Sequence, residues 1–76
     1  MPAKMKNPQA VRGKIVAKLK TKGIKKPTVR DMYKELGCSP NTLTNAVKGR
    51  KIDWSTVDRI AELIGANASD IASEVS

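Results

Sequence analysis

Between positions 39 and 48 the chain carries six side chains able to make directed hydrogen bonds: Ser39, Asn41, Thr42, Thr44, Asn45 and Lys48. An Asn amide offers a donor and an acceptor side by side, the pair that matches the major-groove edge of adenine. A Thr hydroxyl donates, accepts or sets its methyl against that of thymine, and Lys48 closes the same face. This is the chemistry of recognition, not of bond breaking. A second set, suited to anions, lies on either side: Lys25, Lys26, Thr28 and Arg30 before it, Arg50 and Lys51 after it. Such groups meet phosphate oxygens, and so do the free N–H groups of a helix start near Thr28; these contacts supply affinity and register without reading base sequence.

The inventory for catalysis is thin. The chain has no His, which removes the commonest general base and the commonest zinc ligand. A single cysteine, Cys38, forms neither an internal disulfide nor a cysteine-based zinc site. The five glycines are scattered singly, so no phosphate-cradling loop is present. No cofactor and no small-molecule substrate is expected, and 76 residues leave no room for a core plus a deep substrate cavity.

Charge points the same way as the side chains. The net charge is +8 and the pI about 10, the footprint of a nucleic-acid binder. Residues 1–51 hold 14 of the 15 Lys and Arg against Asp31 and Glu35 alone, or +12; residues 52–76 hold Arg59 against five carboxylates, or −4. With Trp54 and Tyr33 as the only aromatics, the chain lacks the ring platforms of base-stacking RNA and single-strand binders. No run is long and apolar enough for a signal peptide or a membrane span, and the lone cysteine fits a reducing compartment. The expected location is cytoplasmic, with the nucleoid.

These side chains need elements to hold them. Asn7-Pro8 reads as a cap and first residue of a helix, with Val11, Ile15, Val16 and Leu19 on one face and Gly23 as its stop. Thr28 with Asp31 reads as a capping box for a short helix whose Val29, Met32, Tyr33 and Leu36 face inward. Gly37-Cys38-Ser39-Pro40 is a tight turn, with Cys38 plugging the helix junction. Ser39 caps a third helix, with Leu43, Ala46 and Val47 buried. Ser55 with Asp58 is read as the start of a fourth, bearing Val57, Ile60, Ala61 and Ile64 with Leu63 beside them. A last short helix, capped by Asn67 or Ser69, carries Ile71 and Val75. Trp54 covers the core below the fourth helix. No stretch shows sustained alternation, so five helices and no strand are expected. Residues 1–6 read as a disordered basic arm and residues 7–76 as a single domain.

Residues 28–48 have the layout of a helix-turn-helix, and the run from Thr28 to Gly49 resembles the Cro/repressor-type family of phage and bacterial regulators. The later Ile60–Gly65 and Asp70-Ile71 resemble that family's fourth and fifth helices. Ser39–Val47 and Ile15–Lys20 are similar to the Ner proteins of transposable phages and their Nlp relatives. The resemblance implies an all-α, five-helix Cro/repressor-like fold and repression by occupancy of an operator. It assigns base reading to Ser39, Asn41, Thr44, Asn45 and Lys48, with Thr42 at the boundary. Two positions depart from the pattern. Val29 stands where many members have Gln, and Tyr33 stands where Ala is usual, so either the two helices splay or Tyr33 tilts outward. The tryptophan-proline segment usual in Ner is also not reproduced. The expected partner is double-stranded DNA, with a homodimer on paired half-sites. The rival readings are a DNA-binding antitoxin or accessory regulator whose acidic half binds a protein, a non-specific nucleic-acid binder, and a pure protein–protein module.

Overall fold

The computed structural model describes residues 2–75; Met1, from the expected arm, and Ser76 lie outside the described residues. In chain order the elements are β1 (Pro2–Met5), α1 (Pro8–Thr21), α2 (Val29–Leu36), α3 (Pro40–Val47), β2 (Ile52–Asp53), α4 (Trp54–Ile64), α5 (Ala68–Ile71) and β3 (Ala72–Glu74). All five expected helices are present. The protein is mostly helical, but it is not all-α: three short strands form an antiparallel sheet in the order β2-β1-β3.

The helices begin and end for local reasons. Asn7 accepts a hydrogen bond from the Ala10 N–H at 3.3 Å, and Pro8 supplies the first turn of α1. Val11, Ile15 and Leu19 then recur on one buried face. After Thr21 the chain reverses, with the N–H groups of Lys22 and Ile24 both donating to Leu19 O. Lys22 pairs with Glu35, which sets the end of α1 beside the end of α2. The core gathers Ile15, Leu19, Met32, Leu43, Val57 and Ile60 from four helices, all almost wholly buried.

Within the segment expected as a disordered arm over residues 1–6, Pro2–Met5 form β1. Ala3 is 0% and Met5 6% exposed, while Pro2, Lys4 and Lys6 lie outside. That is the alternation of a strand, compressed into five residues. Ala3 lies opposite Ile52 on one side, and Met5 lies opposite Ala72 on the other, so each pair places two buried side chains together. Isolated strands this short do not hold in water. Here the helical core against which β1 packs holds them.

The strands also move two helix boundaries. Pairing with β1 keeps Asp53 extended (φ −77°, ψ 148°), so α4 starts at Trp54, one residue after Asp53, and not after Ser55. Asp53 makes no side-chain cap hydrogen bond. At the other end, α5 stops at Ile71 because Ala72–Glu74 turn extended to pair with β1. Val75, expected on a helix, donates its N–H to Pro2 O at 3.0 Å. Val29 is also corrected. It shares a helical face with Met32 and Leu36, yet at the first position of α2 it is 49% exposed.

Candidate nucleic-acid interface

The α2–turn–α3 unit is built from reciprocal local bonds. The Thr28 N–H donates to Asp31 Oδ2 at 2.9 Å, and the Asp31 N–H donates back to Thr28 Oγ1 at 3.3 Å. The Thr28 hydroxyl also donates to Asp31 Oδ2. These bonds to the ionised form, first from the Thr28 backbone and then from its hydroxyl, hold the Asp31 carboxyl below its ordinary range. They also occupy the Thr28 hydroxyl, so an anion at this helix start would meet backbone N–H groups and Arg30 rather than a free hydroxyl.

At the other end of α2, Gly37 adopts the left-handed conformation (φ 66°, ψ 29°) that a sharp reversal requires and that an L side chain resists. The Cys38 N–H donates to Tyr33 O at 3.1 Å. Cys38 is half-buried, and burial raises its thiol above the ordinary value, so it is a filler of the junction and not a thiolate. Tyr33 is also half-buried, at the margin of the core.

Along α3, Leu43 and Ala46 are buried and Val47 is half-buried, which leaves the polar set on the other side. The six residues of that set differ in what remains available to them. Ser39 Oγ accepts from the Thr42 N–H at 3.2 Å and lies 2.8 Å from Thr42 Oγ1. The Thr44 hydroxyl donates to Pro40 O at 2.9 Å, so only its lone pairs and methyl remain free. Among the described residues, no hydrogen bond engages the side-chain amides of Asn41 or Asn45, or the Lys48 ammonium. Asn41 and Lys48 are exposed, and Asn45 is half-buried.

The basic residues fall into two groups. Lys25, Lys26 and Arg30 are exposed around the start of α2. Arg50 and Lys51 are exposed on the corner after α3, where the Arg50 N–H donates to Asn45 O at 2.8 Å. Gly49, at φ 74°, lets that corner close against Pro8: a Cβ there would lie 3.3 Å from Pro8 Cγ. None of these five cations makes an ion pair among the described residues.

The sequence model of the Cro/C1-type HTH DNA-binding domain matches residues 14–74. The chain belongs to that family. A search of curated proteins gave no match to it, and neither did a search of solved structures. As a member of the Cro/C1-type family, the protein has DNA as its partner. Among the described residues no helix is long and apolar enough to cross a membrane, and no group of three or more His, Cys, Asp or Glu side chains is placed to hold a metal.

Sequence reasoning missed one residue of this Cro/C1-type domain. Arg59, in the middle of α4, donates from Nη1 to Gly37 O at 2.8 Å and lies 3.5 Å from Leu36 O. The only sequence signal was a single cation in an otherwise acidic stretch, and nothing in that signal named its acceptor.

Proposed function

We propose that this protein is a sequence-specific regulator of transcription, a repressor of the phage type, which occupies an operator by laying α3 in the major groove. The observation that carries this reading is the free polar face of α3. Two Asn amides and Lys48 stand unengaged beside hydroxyls already fixed by capping bonds. A helix surface that only faced water would more usually carry Lys and Glu, as the outer face of α1 carries Lys14, Lys18 and Lys20. In this reading Ser39, Asn41, Thr42, Thr44, Asn45 and Lys48 meet base edges. Lys25, Lys26, Arg30, Arg50 and Lys51 meet phosphates on either side, joined at the helix start that Thr28 caps by the backbone N–H groups of Val29 and Arg30. Two copies on half-sites about one helical turn apart would double the contact surface.

The test is selection of binding sites from a random duplex library at near-physiological salt. The expected result is an enriched motif, and its symmetry reports one half-site or two. Binding without enrichment, collapsing as salt rises, would instead mark a charge-driven binder and end the repressor reading.

A further inference from the structure

Arg59 is the only cation among residues 52–76, and it sits on α4, outside the two helices of the motif. Its acceptors, the carbonyls of Leu36 and Gly37, close α2 and open the turn. Carbonyls at a helix end have no intrahelical donor, and a cation there also opposes the negative end of the helix dipole. The bond to Gly37 joins residues 22 apart in sequence, so it links two elements and is not a local cap. The far end of α3 is already held by the close approach of Gly49 to Pro8 and, a few residues on, by the pairing of β2 with β1. The near end begins at Pro40, three residues beyond Gly37, and the guanidinium is what ties that turn to α4.

We infer that Arg59 is a positioning residue for α3: by holding the Leu36 and Gly37 carbonyls to α4, it sets the angle at which the reading helix is presented to the duplex. This rests on the DNA-reading function proposed above. Long-range charge would make Arg59 help any duplex equally. Positioning makes it help the selected site more than random DNA, because base contacts depend on helix angle and phosphate attraction does so only weakly.

The experiment measures affinity for the selected duplex and for a random duplex at one salt concentration. The proteins compared are the wild type, Arg59→Met, Arg59→Lys and Lys14→Met. The last removes the same charge from an exposed site on α1. Native-state amide exchange of the free proteins runs alongside. For Arg59→Met the ratio of the two affinities is expected to narrow about tenfold, the scale of one charge-assisted hydrogen bond. Exchange should quicken at residues 37–43 and stay unchanged in α1. Arg59→Lys, which keeps the charge but loses the planar fork, should narrow the ratio about threefold. Lys14→Met should lower both affinities alike.

An unchanged ratio for Arg59→Met, or exchange that quickens evenly through α1 and α4, overturns the inference. If Arg59→Met does not fold, an unchanged ratio and unchanged exchange in Arg59→Lys overturn it equally. A wild-type protein that shows no preference between the duplexes defeats the proposed function instead. The exchange arm then still decides whether Arg59 holds the turn.

Discussion

Ser39, Thr42 and Thr44 share a hydroxyl chemistry with two Asn amides nearby, yet folding assigns them different duties. The hydroxyls are spent on capping and back-bonding within α3, whereas the amides of Asn41 and Asn45 are not. Sequence discrimination should therefore fall on the amides. Asn45→Ala is expected to cost about 1–3 kcal/mol on the selected site and to relax base preference. Arg50→Ala should weaken every duplex alike. Equal losses for Asn45→Ala on selected and random DNA would remove Asn45 from the reading set. Asp31 offers a pH test at the same scale. Its folded pKa lies below the ordinary value of 3.8, so the stability it adds is complete above that range and is lost as pH falls through the lowered value. Asp31→Asn should therefore be less stable than wild type near neutral pH and converge on it under acid conditions. Urea midpoints across that range check the convergence; a gap that stays constant would mean that the capping bonds do not depend on ionisation.

Two elements carry predictions of their own. In α1, Gly13 is exposed, and an added Cβ would meet nothing within 4 Å. The glycine therefore weakens the helix without any packing return, and Gly13→Ala should stabilise the protein by about 1 kcal/mol, read as a higher urea midpoint. In β1, Met5 is buried against Ala72, the residue opposite it. Met5→Ala should cost about 2–5 kcal/mol, the usual result of emptying a core position. A disordered arm would tolerate the change without loss, so thermal unfolding of this variant distinguishes strand from arm.

Across the whole molecule, charge is segregated by sequence and then reassembled by the fold. The exposed cations Lys25, Lys26 and Arg30 gather at the start of α2, and Arg50 and Lys51 at the end of α3, so in the proposed complex each end of the motif offers cations to the phosphate backbone. The acidic residues Asp53, Asp58, Glu62, Asp70 and Glu74 are exposed on and around α4, α5 and β3. Affinity for any duplex should fall linearly on a double-logarithmic salt plot. Neutralising Lys26 should lower the slope by about one unit and leave base preference intact. A changed preference with an unchanged slope would place Lys26 among the readers.

The sequence by itself determined the helix-turn-helix. A capping box at Thr28, a left-handed Gly37 and a Ser39-Pro40 start are all signals within three or four residues, and helices are stabilised over that same range. The inward stripe of α3 followed from spacing, and with it the candidate reading face. What the tertiary structure decided was everything that needs a distant partner. β1 alternates for only four residues and gains its hydrogen bonds from segments about 50 and 70 positions away, so no local pattern could separate it from a frayed arm. The start of α4 and the end of α5 followed from that pairing. Val29 lies on the correct face of α2 but at its first position, where half of the side chain stays exposed, which periodicity does not register. Arg59 finds its acceptor 22 residues back, across an angle between helices that exists only when both are packed on the same core.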